Sequence, residues 1–135
     1  MIIDTSVIVA ILNDEPERHV FIEAIIDASY RGMSTAGFVE TSIVLEARYG
    51  YEGIRDFDLF LAKAGIELVP VDVEQAQIAR QAFKAYGKGR HPAGLNFGDC
   101  FSYALAKVND DLLLFKGNDF LQTDIRFPKY LGGIE

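Results

Sequence analysis

The chain has 135 residues, half of them hydrophobic and 24% charged, with 13 basic against 20 acidic side chains and a net charge of −7. That length suits one domain with a single core, no run approaches the ~18 apolar residues of a membrane span, and the first residues lack the basic start and cleavage site of a secretory signal. One cysteine, Cys100, excludes a disulfide framework and a thiolate zinc site and points to a reduced, cytoplasmic setting, while the acidic balance argues against nonspecific nucleic-acid binding.

Met1-Ile2-Ile3 is an apolar run that predicts a short buried strand, with Asp4 where it stops and Thr5 and Ser6 beside it. Taken alone, Asp4 or Thr5 is best explained as the cap of the next element. Val7 to Leu12 predicts a helical turn packed beneath that strand. Asp14-Glu15-Pro16-Glu17 carries the signature of a helix start, with Asp14 as N-cap and proline in the first turn. Val20, Phe21, Ala24, Ile25 and Ala28 then recur at helical spacing to about Ser29. Gly32-Met33-Ser34 is a weak second strand. Thr35 is expected to cap a helix from Ala36 to Tyr49, whose Val39, Ile43 and Ala47 line one face and whose Glu40 lies near its beginning. Gly50 and Gly53 break the pattern before the apolar face of Ile54, Phe57, Phe60, Leu61 and Ala64, which ends at Gly65.

Ile66 to Val71 predicts a strand whose proline, Pro70, favours an edge or a strand end. Asp72-Val73-Glu74-Gln75 reads as a capping box opening a helix through Ala76, Ala79, Phe83 and Tyr86. Gly87 to Gly94 is a loop with a basic cluster, Lys84, Lys88, Arg90 and His91, in and beside it. Asn96 caps a helix that carries Asp99 in its first turn and turns Phe101, Ala104, Leu105 and Val108 inward. Leu112 to Phe115 predicts a buried strand, followed by Lys116-Gly117-Asn118-Asp119-Phe120, and a last short element is expected around Tyr130 to Ile134. Short apolar strands alternating with amphipathic helices indicate an α/β domain, a central parallel sheet flanked by helices, with residues 1–135 as one unit.

In open parallel sheets, functional groups gather at the carboxyl ends of the strands. Asp4 follows the first strand, Asp119 lies just past the last one, and Asp99 and Glu40 stand at helix starts that face the same edge. Such carboxylates repel one another unless a cation is present, and an all-oxygen set without histidine or thiol suits hard divalent ions such as Mg²⁺ or Mn²⁺. Each residue also has a plainer explanation. Glu40 is ordinary as a helix-surface charge, Asp99 as a capping partner of Asn96, and Asp119 as a turn residue. Their coincidence at one edge favours the joint explanation. His19 and His91 are too isolated for zinc, and Cys100 fits a small buried hydrophobe.

These residues resemble the PIN-domain ribonucleases, specifically the VapC-type toxins of bacterial type II toxin–antitoxin pairs. The stretches that carry the resemblance are Met1-Ile2-Ile3-Asp4-Thr5-Ser6, Glu40, the run Leu95-Asn96-Phe97-Gly98-Asp99-Cys100-Phe101-Ser102-Tyr103-Ala104, and Lys116-Gly117-Asn118-Asp119-Phe120. The resemblance implies a PIN fold over 1–135 and a metal-dependent endoribonuclease using Mg²⁺ or Mn²⁺, with tRNA or ribosomal RNA as the usual targets. Cleavage by in-line attack of water would leave a 5′-phosphate and a 3′-hydroxyl. Asp4, Glu40, Asp99 and Asp119 match the family's acidic set, with Asp4 and Asp99 as principal metal ligands and Glu40 and Asp119 completing the shell. Thr5, Ser6 and Asn96 match positions beside the acids, and Asp124 is an extra or substitute ligand in place of Asp119. The resemblance also implies a homodimer, a cognate small antitoxin, and a groove or dimer contact involving Phe57, Phe60 and Leu61, which fit the core equally well.

Two other classes account less well for these residues. A phosphotransfer receiver would need an acidic pair after the first strand and a phosphoacceptor aspartate after a middle one; no pair follows Ile3, and Asp72 fits a cap. A non-catalytic PIN-fold module that only binds a partner is disfavoured by the presence of all four acids.

Overall fold

The structure, a computed structural model, describes residues 1–129. The expected element at Tyr130 to Ile134 lies outside them. Four short parallel strands, β1 (Ile2–Ile3), β2 (Gly32–Ser34), β3 (Glu67–Val69) and β4 (Leu113–Leu114), form one sheet in the order β3-β2-β1-β4. Six helices surround it: α1 (Thr5–Leu12), α2 (Arg18–Asp27), α3 (Thr35–Tyr49), α4 (Tyr51–Ala64), α5 (Val73–Tyr86) and α6 (Phe97–Asn109).

Strands β1 and β4 read as uninterrupted apolar pairs because both of their faces are covered: Ile2, Leu113 and Leu114 are fully buried and Ile3 is 1% exposed. Strand β3 sits at the sheet edge, where Pro70, just past its end, costs no ladder bond. From β1 the chain builds outward through β2 to β3 and then crosses to the other flank of β1 for β4. The strand order therefore reverses between β1 and β4, and the carboxyl ends of these two strands open the crevice where an α/β sheet binds its ligands.

Several local expectations need correction. Asp14 does not cap α2. It takes a left-handed backbone conformation at φ +53° and closes the end of α1, its N–H donating to the Ile11 carbonyl at 3.2 Å. The helix starts only at Arg18, after Glu17, with no side-chain cap. The carboxylates of Glu15 and Glu17 are engaged elsewhere, both on the Lys116 ammonium beyond β4, so a tertiary ion pair prevails over the local capping signal. For α3 the cap is Ser34, whose Oγ accepts from the Ala36 N–H at 3.2 Å, while the Thr35 hydroxyl accepts from the Val71 N–H at 3.3 Å.

The buried face of α3 is Gly37, Thr41 and Leu45, not Val39, Ile43 and Ala47. Val39 and Ile43 are 54% and 64% exposed. The inward face is the one turned to α1, where the Thr41 hydroxyl donates to Thr5 Oγ1 at 2.9 Å. Gly50 does end α3, at φ +67°. Gly53 sits inside α4, where a Cβ would collide with the Leu45 carbonyl, so it permits helix contact and breaks nothing. The capping box at Asp72 is half made: Asp72 accepts from the Gln75 N–H at 2.8 Å, but the Gln75 amide turns to the Pro70 carbonyl. Phe57 and Leu61 are buried in the core, and Phe60 is partly buried against it.

Candidate metal centre

Asp4 leaves β1 at the switch point and caps α1. Its N–H continues the ladder to the Leu114 carbonyl at 3.0 Å, and its side chain is 4% exposed. A carboxylate that deeply buried must have its lone pairs occupied. Oδ2 accepts from the Ser6 N–H at 3.1 Å and from Ser6 Oγ at 2.6 Å, and Oδ1 accepts from Ser102 Oγ at 2.6 Å. Ser6 Oγ in turn accepts from the Lys116 N–H at 2.9 Å, tying the exit of β1 to the exit of β4. The capping explanation of Asp4 and its place in an acidic cluster are thus one geometry.

The same holds for Asp99. Asn96 Oδ1 accepts from the Asp99 N–H at 2.8 Å, and Asp99 Oδ2 accepts from the Asn96 N–H at 3.0 Å, a complete capping box. The box fixes where the carboxylate stands, beside Asp4 and Asp119. Burial pushes the Asp99 carboxyl up to about 8, the Asp4 and Asp119 carboxylates push in the same direction, and the Asn96 backbone bond opposes them. Asp119 is exposed and opens a 3₁₀ turn, Asp119–Gln122, after β4.

Glu40 projects from the second turn of α3 against the first turn of α6, where a side chain at Gly98 would run into its carboxylate. Partial burial raises its carboxyl above the ordinary value, nearby Asp4 adds to the rise, and the Thr5 hydroxyl partly offsets both. Thr5 Oγ1 also donates to the Gly37 carbonyl at 3.3 Å. The predicted residues Asp4, Thr5, Ser6, Glu40, Asn96, Asp99 and Asp119 therefore meet around the starts of α1 and α6.

Asp124 stands apart from them. It accepts from the Tyr103 hydroxyl at 2.6 Å and from Lys107 Nζ at 2.7 Å, farther along α6. Burial alone would raise its carboxyl, but those two bonds prevail and hold it below the usual range. Cys100 is buried, its thiol raised to about 11 by burial and by Asp99, which leaves it no nucleophilic role. His91 packs edge-on against Tyr86.

Ser102 is the site residue that the sequence motifs do not single out. It lies three residues after Asp99 on the same helical face, 4% exposed among apolar neighbours, and its side chain donates to Asp4. A hydroxyl at i+3 from an acid, inside an apolar helix, is the signal that could have found it.

All the converging donors are carboxylate or hydroxyl oxygens, the set preferred by a hard divalent cation. Each carboxylate oxygen accepts at more than one lone pair, so the hydroxyl bonds to Asp4 leave room for an ion. Among the described residues, no three acidic, histidine or cysteine side chains stand close enough together to cage one ion on their own. Nor, among them, is any helix long and apolar enough to cross a membrane.

Comparison with known proteins bears on this geometry. The family model for the PIN domain matches residues 1–126. The chain is 56% identical over 125 residues to a Ribonuclease VapC of Mycolicibacterium smegmatis, covering 93% of this chain and 97% of that protein. It is also 56% identical over 126 residues to Ribonuclease VapC30 of Mycobacterium tuberculosis, covering 93% and 95%. The crystal structure of Mycobacterium tuberculosis VapC20, a sarcin–ricin loop cleaving toxin, superposes with a TM-score of 0.73 over 92% of this chain and 95% of that one, at 13% identity. At that identity the superposition speaks to the fold.

Proposed function

The chain belongs to the PIN-domain family, among the VapC ribonucleases, and from that premise we propose that the crevice between β1 and β4 is a metal centre for RNA phosphodiester hydrolysis, with Asp4, Glu40, Asp99 and Asp119 as its acids. The carrying observation is the convergence of Asp4, held by Ser6 and Ser102, with Asp99, held by the Asn96 box, at the strand-order reversal. A site that concentrates negative charge this way is stabilised by a divalent cation.

Mg²⁺ or Mn²⁺ suits the donor set, because Mg²⁺ is commonly held by one or two carboxylates together with waters and substrate phosphate. Asp4 and Asp99 are its direct holders, and Glu40 and Asp119 complete or orient the surroundings. Bound there, the ion supplies charge neutralisation at the phosphoryl oxygens and lowers the pKa of water. The protein's own part is orientation. Ser6 and Ser102 fix the Asp4 carboxylate, the Asn96 box fixes Asp99, and Glu40 stands against the first turn of α6 at Gly98.

Regulation by a cognate small antitoxin and assembly as a homodimer are part of the same reading. What supports it is exposed apolar area on α3 and α4, where Val39, Ile43, Leu59 and Tyr51 are 51–80% exposed. The test is incubation of the purified protein with labelled RNA and Mg²⁺ or Mn²⁺. Cleavage should occur, stop with chelator, and be lost in Asp4→Asn and Asp99→Asn variants that keep the parent circular-dichroism spectrum. Undiminished cleavage in both variants would place the chemistry elsewhere; a folded parent that binds no divalent ion and cuts nothing would make the chain a binding module.

A further inference from the structure

A second feature lies on the other side of the start of α6. Helices α5 and α6 leave between them a groove of about 400 Å³, lined by Ala76, Arg80 and Phe83 of α5 and by Phe97, Cys100 and Phe101 of α6. That volume is within the range of ligand pockets, roughly 300–1,000 Å³. Its most unusual member is Phe97, 77% exposed in the first turn of α6. The ring is held against Phe101 in an edge-to-face pair, centroids 4.9 Å apart at 70°, so it offers an aromatic face to solvent in a fixed orientation. The Arg90 guanidinium stands 5.4 Å from the centre of the ring of Phe83, one of the lining residues.

Charge around the groove is opposite to that of the chain. Residues 75–98 contain no acidic side chain in a protein that has 20, and Arg80, Lys84, Lys88 and Arg90 all fall within that stretch. An apolar aromatic floor with arginines at its rim, free of carboxylates, matches a ligand that is flat, unsaturated and anionic. Proteins that hold single-stranded nucleic acid combine these two elements, aromatic rings for the bases and cations for the backbone. A groove intended for an apolar helix would have no use for the removal of every acid from 24 consecutive residues.

Position relative to the acids favours the same occupant. Phe97 and Asp99 are two residues apart in one helical turn, so they point to opposite sides of α6. A helix with side chains is about 10–12 Å across, and at a rise of about 3.4 Å per nucleotide this distance corresponds to about three nucleotides. We propose that the α5–α6 groove is a base-stacking subsite, with Phe97 as its platform and Arg80 as its phosphate contact, for a nucleotide of the RNA strand about three positions from the bond that is cut. The proposal rests on the ribonuclease reading for the identity of the strand; Phe97 acts in recognition and touches no reacting atom.

The experiment measures binding apart from cleavage. Fluorescein-labelled oligoadenylate of about 12 nucleotides, within the site size of single-strand binders, and an abasic RNA of the same length are titrated with the full chain in EDTA by anisotropy. Phe97→Ala weakens oligoadenylate binding about tenfold, Phe97→Trp restores it, and neither changes binding of the abasic strand. Arg80→Ala weakens both strands and makes the salt dependence shallower by about one phosphate contact. The proposal is overturned if Phe97→Ala binds oligoadenylate as the parent does, if it loses the abasic strand to the same degree, or if the parent binds neither. It is equally overturned if Phe97→Ala leaves RNA binding intact and instead changes the oligomeric mass or releases a bound protein, which would assign the groove to a second copy or an antitoxin. Metal-dependent cleavage by the same preparation is scored separately, so loss of the nuclease reading and loss of the subsite are distinct results.

Discussion

The two sides of the start of α6 differ in almost every physical respect. On one side carboxylates crowd together, Asp4 buried and Asp99 and Glu40 half-buried, with the oxygens of Asp4 and Asp99 fixed by Ser6, Ser102 and Asn96 at 2.6–3.1 Å. On the other an aromatic ring stands in solvent beside arginines, and no polar bond restrains it. The contrast separates two tasks. Groups that hold an ion must be placed within tenths of an ångström and are therefore over-determined by their neighbours. A surface that stacks bases of any sequence needs only a flat face and positive charge, and it tolerates exposure.

The largest effect should come from the acidic side. Asp4→Asn and Asp99→Asn keep the shape of each side chain and most of its hydrogen bonds but remove the charge that attracts a cation. Since loss of partners that merely orient metal ligands costs about 10–100-fold, loss of a ligand should lower kcat/KM by more than about a hundredfold, measured on a cleavable RNA at saturating Mg²⁺. Parent-like turnover in either variant would break the distinction between the two sides, because the acids would then be only caps.

Ser102→Ala should rank next. The variant leaves Asp4 Oδ1 without its buried donor, so the carboxylate turns away from its present orientation. Divalent-ion affinity and kcat/KM should each fall about 10–100-fold, and Ser102→Thr, which keeps the hydroxyl, should recover most of the loss. Calorimetric titration with Mn²⁺ measures the first quantity directly. An alanine variant with unchanged ion affinity would show that the hydroxyl only satisfies a buried charge.

These two kinds of variant also divide what is legible in the chain from what is not. Asp4 and Asp99 are legible because their local roles, a strand end and a capping box, fix their positions without knowledge of tertiary structure. The parallel α/β class is legible from the alternation of apolar runs with helical periodicity. In the sequence itself the family is legible from the resemblance of four stretches to known ribonucleases. The features that escape a sequence reading depend on distant partners. Asp14 carries the signal of a helix start, yet Lys116, a hundred positions away in sequence, takes the nearby carboxylates. Apolar spacing assigns the inward face of α3 to Val39 and Ile43, because it cannot reveal that Thr41 finds its hydroxyl partner on α1, at Thr5. Ser102 is passed over because its partner, Asp4, is 98 residues away.

A smaller effect arises from the protonation of Asp99. Its carboxyl titrates near 8 in the folded chain against an ordinary 3.8, so between these pH values the folded state retains a proton that the unfolded state has lost. Stability of the metal-free protein is therefore greatest at acid pH down to the unfolded value and declines as pH rises toward 8. Urea denaturation in EDTA at pH 6 and pH 8.5 should show a drop in midpoint for the parent and a smaller drop for Asp99→Asn. Because ion binding must expel that proton, Mn²⁺ affinity should rise with pH, by up to about tenfold per unit, and level off above 8. A flat profile would mean that Asp99 is ionised without a cation, and the crowding of charge on this side of α6 would be less than the geometry implies.

The smallest effect separates Asp124 from the acidic side altogether. If it stood in for Asp119 as a ligand, Asp124→Asn would depress cleavage as Asp4→Asn does. Its bonds to Tyr103 and Lys107 instead make it a brace between the segment after the 3₁₀ turn and the middle of α6. The Lys107 pair is half-exposed, with side chains 36% and 53% accessible, and an ion pair so placed contributes about 0–1 kcal/mol. The depressed carboxyl adds its share only above its ordinary pKa of 3.8 and loses it as pH falls below that value. Asp124→Asn should accordingly lower the urea midpoint slightly at pH 7, by less at pH 3, and leave kcat/KM within about twofold of the parent. A loss of ion affinity comparable to that of Ser102→Ala would move Asp124 into the metal centre and displace Asp119 from it.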